Sequence, residues 1–221
     1  ADETFIARMD ADDVSRPDRL QKEMDDLAKY DLDFVMSGSN LMSENGDLHP
    51  GKAFPRFSPD DICELQKATN VSIHPTWLVK SEVYEKLGGY RDVRNCEDLD
   101  FLLRALQAGY KVGYVPESLI DYRLREKSVS SVSRYAQDAK ADALRELYRD
   151  GLSIDEEYVV RALDRFDDDS QVESIEKASA AKRKIDELSV ALYERRFASC
   201  LSMTCRNYFT DREFRCCLLY T

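Results

Sequence analysis

Apolar positions along this chain recur with two periods, one of two residues and one of three to four, and the alternation between them predicts strands and helices in turn. Thr4 to Met9 reads as a buried strand that delivers Asp10-Ala11-Asp12-Asp13 at its end. Ser15 offers an N-cap and Pro17 a first-turn residue, after which Leu20, Met24, Leu27 and Ala28 share one helical face. Asp33 to Met42 reads as a strand, and Glu44-Asn45-Gly46-Asp47 as a hairpin-type turn. Ser58-Pro59-Asp60-Asp61 opens a short helix carrying Ile62, Leu65 and Ala68. A strand is predicted over Ser72–Val79, then a short helix from Ser81 to Leu87 that Gly88-Gly89 stops. Asp98 to Ala108 is predicted as a helix with Leu99, Leu102, Leu103 and Leu106 on one face, stopped by Gly109. Tyr110 to Tyr114 alternates as a strand, Pro116 breaks it, and Leu119 to Tyr122 reads as one more short strand.

Beyond about Glu126 the pattern becomes helical, in segments broken near Asp150-Gly151 and near Asp167-Asp168-Asp169-Ser170. The expected organisation is therefore an α/β domain over 1–127 and a helical region over 128–221. No apolar run is long enough to span a bilayer, and the first residues lack the pattern of a signal peptide. The net charge of −11 argues against nucleic acid as a partner. The six cysteines (Cys63, Cys96, Cys200, Cys205, Cys216 and Cys217) fit no zinc pattern and read as free thiols of a cytoplasmic protein.

Three clusters can carry chemistry. Asp10 and Asp12, two residues apart at a strand end, can share a hard divalent cation whose other positions go to water and phosphate. The same acids would also suit a helix N-terminus facing the positive end of the dipole. Glu97-Asp98 opens the Leu-rich helix, where either an acidic N-cap or a functional carboxylate fits. Asp100, in the same turn, reads as solvent-facing or structural. His74, beside Trp77, fits a metal ligand, an acceptor contact or a hydrogen-bonded core histidine. No nucleophile elbow, P-loop or dinucleotide fingerprint occurs.

In order, Ile6–Leu20, His74-Pro75-Thr76, Gly88-Gly89-Tyr90-Arg91, Cys96–Phe101, Val115–Leu119 and Tyr122-Arg123 resemble bacterial family 2 glycosyltransferases of the GT-A fold. The resemblance implies a GT-A-like mixed sheet with flanking helices, truncated at the N-terminus and followed by the helical region. Asp10 and Asp12 match the family's DXD motif, the first contacting the nucleotide and the second holding Mn²⁺ or Mg²⁺. Asp98 matches the general base of the Glu-Asp motif. Glu97 and Arg123 fall on the nucleotide-sugar side, and His74 on the acceptor or metal side.

The implied reaction moves a sugar from a UDP- or GDP-linked donor to a saccharide or lipid-linked saccharide acceptor, with inversion, in cell-surface polysaccharide synthesis. The family's elements for the base and ribose precede the DXD strand. The chain is thus expected to be a fragment, inactive alone, with an open sheet edge that favours homo-oligomers. A non-catalytic binding or assembly module is the alternative, and a metal-dependent phosphoesterase a remoter one. The tail with Arg206, Tyr208, Phe209, Arg212, Phe214 and Arg215 suits either a helical packing face or a peripheral contact at the inner membrane face.

Overall fold

A nine-residue strand, β3 (Phe34–Met42), is buried over most of its length and organises the rest of the sheet around it. In the computed structural model, residues 4–51, 54–67, 69–124, 134–151, 155–164 and 166 are described. Of these, the residues up to 124 together with 140–151 and 155–163 form one unit, while 134–139, 164 and 166 belong to a second. The elements, in chain order, are β1 (Phe5–Ala7), β2 (Val14–Ser15), α1 (Arg19–Lys29), β3, β4 (Leu48–His49) and α2 (Pro59–Gln66). A 3₁₀ turn at His74–Thr76 then leads to β5 (Leu78–Lys80), α3 (Ser81–Leu87), α4 (Glu97–Gln107) and β6 (Val112–Arg123). Helices α5 (Arg134–Arg149) and α6 (Glu156–Asp164) follow.

The sheet is mixed, in the order β1-β5-β3-β6-β2, with β4 paired to β3. Only β3 and β6 run parallel, starting from Phe34 opposite Val112. Leu27, Leu32, Val35, Leu78, Val115 and Leu119 form one packed cluster between α1 and the sheet. On the other side Trp77, fully buried, meets Phe34 edge-on at 4.7 Å and Phe101 of α4 at 6.1 Å. Gly113 is required here, because a Cβ at that position would lie 2.2 Å from Leu32 Cδ1. This is the mixed α/β sheet with flanking helices that the resemblance implied.

Five local expectations change. The strand expected to be buried over Thr4–Met9 spans only Phe5–Ala7 and is largely exposed, with Ile6 at 38%. Pro116 does not end a strand: β6 passes through it, with the register jumping from Ser37–Val115 to Gly38–Ser118. Pro116 and Glu117 thus sit in an exposed bulge, where a residue without an N–H leaves no ladder bond unmade. Ser72–Val79 is not one strand, since Pro75 favours the 3₁₀ turn and only Leu78–Lys80 pairs. Ser15 does not cap α1 but pairs with Ile120. Leu20, predicted on the buried face, is 51% exposed, whereas Arg19 and Glu23 are buried.

Asp100 proves to be structural: it is buried and bound by Arg104 at 2.8 Å. Ser58 and Asp61 form a capping box at the start of α2. Cys63 and Cys96 are free thiols, as expected. The expected break at 167–170, the helical pattern beyond it, Ala68, the other four cysteines and the basic tail lie outside the described residues.

Candidate active site

Strand β1 runs antiparallel to β5, Ile6 opposite Val79, and leaves the sheet at Ala7. The Arg8 amide still donates to Trp77 O at 2.8 Å, so the chain enters the acid turn from a fixed point. Within the turn the Asp13 amide donates to Asp10 O, and after it the Arg16 amide donates to Leu119 O at 2.9 Å. Asp10 lies 2.7 Å from the Arg8 guanidinium, with both side chains about a third exposed. Asp13 is buried: one carboxyl oxygen accepts from the Arg123 amide at 2.9 Å, and the other is buried without a partner. Burial pushes the Asp13 carboxyl up, Asp10 and Asp12 add to this, and the Arg123 amide opposes it.

Arg123 holds the turn from the β6 side. Its Nε donates to Asp12 O at 2.9 Å and its Nη1 to Ser43 O and Glu44 O at 3.3 Å each. Three carbonyls therefore engage this guanidinium and tie the acid turn to the end of β3.

His74 sits in the 3₁₀ turn with its ring edge-on to Trp77 at 4.6 Å. Its Nε2 is 2.9 Å from the Tyr90 hydroxyl, which in turn lies 3.0 Å from that of Tyr84. Burial, reinforced by Arg8, pushes the His74 imidazole down to about 4. At neutral pH the ring is uncharged, a state suited to exchanging hydrogen bonds with a hydroxyl.

Glu97 and Asp98 open α4, with Glu97 exposed and Asp98 half-buried. One Asp98 carboxyl oxygen accepts from the Leu99 amide at 2.8 Å. Burial raises the Asp98 carboxyl, the Leu99 amide opposes this, Glu97 adds to it and Arg8 counters. The charge of Arg8 thus acts on His74, Tyr90 and Asp98 as well as on its partner Asp10. Arg8 thus pairs with Asp10 and its charge also bears on the 3₁₀ turn and the start of α4, while Arg123 contacts Asp12 and Asp13. Sequence reasoning missed Arg8, although strand alternation puts it on the side of Asp10, two residues on. It also missed Tyr90 as the partner of His74, for which no local signal exists.

The acid turn fits a divalent cation of the hard, oxygen-seeking kind. It offers two carboxylates two residues apart, Asp10 and Asp12, and the unpartnered buried carboxyl oxygen of Asp13 beside them. Among the described residues no group of three or more His, Cys, Asp or Glu side chains gathers as a cage. The protein would supply few ligands and leave positions to water and phosphate, as Mg²⁺ and Mn²⁺ sites commonly do.

No family model matches the chain. Over 148 residues it is 32% identical to the O-antigen biosynthesis glycosyltransferase WbnJ of Escherichia coli, covering 66% of this chain and 58% of WbnJ. An uncharacterized glycosyltransferase of Methanocaldococcus jannaschii is 27% identical over 133 residues, covering 59% of this chain and 46% of that protein. The crystal structure of S. aureus TarS 1–349 in complex with UDP-GlcNAc aligns with a TM-score of 0.49 at 15% identity, covering 75% and 48%. The chain is homologous to glycosyltransferases and spans about half the length of the curated relatives it matches.

Proposed function

We propose that the chain is the acid-bearing part of an inverting, divalent-metal-dependent glycosyltransferase of family 2 and GT-A type. The observation that carries this reading is the Asp10–Asp13 turn, held by Arg8 at one side and Arg123 at the other, in a chain homologous to glycosyltransferases. Asp98 acts as the general base. A carboxyl raised by burial is better matched to neutral pH than a solvated one, and such a base typically contributes about 10²–10⁴-fold. It takes the proton of the acceptor hydroxyl while that oxygen bonds to the anomeric carbon. The bond from that carbon to the diphosphate breaks on the opposite face, which inverts the configuration.

Asp10 and Asp12 are the residues that would hold Mn²⁺ or Mg²⁺, which when bound offsets the charge on the departing diphosphate. Neutral His74 orients the acceptor hydroxyl, and Glu97 stands on the rim of the donor side. Arg123 braces Asp12, and its place at the donor side makes it a candidate diphosphate contact. The donor is a UDP- or GDP-linked sugar and the acceptor a saccharide or lipid-linked saccharide. The name of WbnJ, an O-antigen biosynthesis glycosyltransferase, supports a role in cell-surface polysaccharide synthesis. The place proposed for it is the cytoplasmic side of the membrane, as a homo-oligomer or in peripheral contact with the bilayer. No helix among the described residues is long and apolar enough to cross a membrane.

A second reading is a binding or assembly module without turnover, derived from such an enzyme. Calorimetric titration of UDP, then GDP, with and without Mn²⁺ tests the first reading. Metal-dependent binding that disappears in Asp12→Asn is expected, and equal binding in EDTA overturns the metal assignment. Sugar transfer or donor hydrolysis by the chain eliminates the second reading.

A further inference from the structure

The most deeply buried charges near the acid turn belong to residues outside the proposed chemistry. Arg19 is 1% exposed and Glu23 is fully buried, one turn apart on α1. Arg19 Nε donates to both Glu23 carboxyl oxygens, at 2.9 and 3.1 Å. Its Nη2 donates to Arg8 O at 3.0 Å and to Trp77 O at 3.3 Å. Glu23 also accepts from the Ser37 hydroxyl at 3.5 Å, and the Ser37 amide donates to Thr76 Oγ1 at 3.2 Å. Thr76 Oγ1 in turn donates to Ile73 O at 2.7 Å.

The two carbonyls under Arg19 are not arbitrary. Arg8 O lies two residues before Asp10, and Arg19 is the first residue of the helix after the acid turn. One guanidinium thus closes residues 9–18 into a loop at its base. Trp77 O belongs to the end of the His74–Thr76 turn, so the same group ties the two site-bearing segments together. Stability alone does not account for such a pair, because replacing a buried ion pair with apolar residues of similar volume is often neutral or favourable. What an apolar pair cannot do is donate to two carbonyls from different segments.

We propose that Arg19, held by Glu23, is a positioning residue that sets the geometry of the Asp10–Asp13 turn relative to the His74 turn. It touches no reacting atom. Lysine cannot replace it, since a point ammonium lacks the planar fork that reaches a carboxylate and two carbonyls at once. The effect on cation binding rests on the metal role given above to Asp10 and Asp12, but the closure of the loop does not.

The test compares the full chain with Arg19→Met/Glu23→Leu and with Arg19→Lys, by thermal melting, site-resolved amide hydrogen exchange and Mn²⁺ binding. In the double variant the melting temperature is retained, while amides within 9–18, such as Asp13 and Arg16, exchange at least ~10-fold faster than in the parent. Mn²⁺ affinity falls by about 10-fold, the low end for losing a group that orients metal ligands. Unchanged exchange in 9–18 at a retained melting temperature overturns the proposal. Should the double variant not fold, Arg19→Lys decides in the same way, judged by loop exchange against that of the β3 amides. If the parent shows no Asp12-dependent Mn²⁺ binding, the metal reading fails, and the exchange result still decides this one.

Discussion

Helices α1 and α4 each carry a buried arginine paired with an acid one turn away, and each stands beside acids proposed to do chemistry. Arg19 pairs with Glu23, and Arg104 with Asp100 at 2.8 Å. Both guanidiniums spend their remaining donors on two backbone carbonyls. Those under Arg19 come from Arg8 and Trp77, distant segments that frame the site. Those under Arg104 are Leu87 O and Gly89 O, both at the end of α3. The same device therefore braces a loop in one place and caps a helix in the other.

The surroundings of the two proposed functional acids, Asp10 and Asp98, differ. In the first region Asp10 is partly solvated and paired with the Arg8 guanidinium. In the second, Asp98 is desolvated on a rigid helix, with Glu97 beside it, and is pushed toward neutrality. Burial and the nearest charge, not residue type, divide the ligand role from the base role.

The sharpest way to break this division is to neutralise one acid on each side. Asp98→Asn is expected to lower sugar transfer by about 10²–10⁴-fold while leaving metal-dependent nucleotide binding intact. Asp12→Asn should abolish that binding. A single variant that loses both properties together would merge the two regions into one.

The brace of α4 can be broken separately. Asp100→Ala leaves Arg104 charged and buried, which should cost about 3–5 kcal/mol in urea denaturation. Asp100→Leu/Arg104→Met should recover most of that loss. A single variant as stable as the parent would mean that Arg104 is not confined by its partner.

Burial of His74 gives a smaller, pH-dependent effect. Its pKa of about 4 in the folded chain lies below the ordinary 6.5, so the folded state binds fewer protons than the unfolded one between those values. The contribution to stability is complete above pH 6.5 and is lost as pH falls toward 4. NMR titration of the ring should show a midpoint near 4, and His74→Gln should flatten the corresponding arm of the stability curve. A midpoint at 6.5 or above contradicts the packing against Trp77. Outside both regions, Ser58→Ala removes the capping box of α2 and should cost only about 1 kcal/mol, with no effect on nucleotide binding.

Much of this was legible along the chain, and for a common reason. The capping box at Ser58, the left-handed Gly88 (φ 72°) that ends α3, and the Leu-rich face of α4 are decided within about four residues by dihedral preference and periodicity. The strand that delivers Asp10 and the helix that opens at Glu97 were visible in the same way, and with them the candidate acids. Pairing across the fold decided the rest. Pro116 sits within β6 because β3 accepts a bulge there, and Ser15 is drawn into a strand by Ile120. Arg19 and Glu23 take the buried face in place of Leu20, with Arg19 donating to two carbonyls 11 and 58 positions away. Sequence periodicity records which residues tend to avoid water, whereas a buried charge is tolerated only where distant segments supply its partners, and those are known only once the chain has folded.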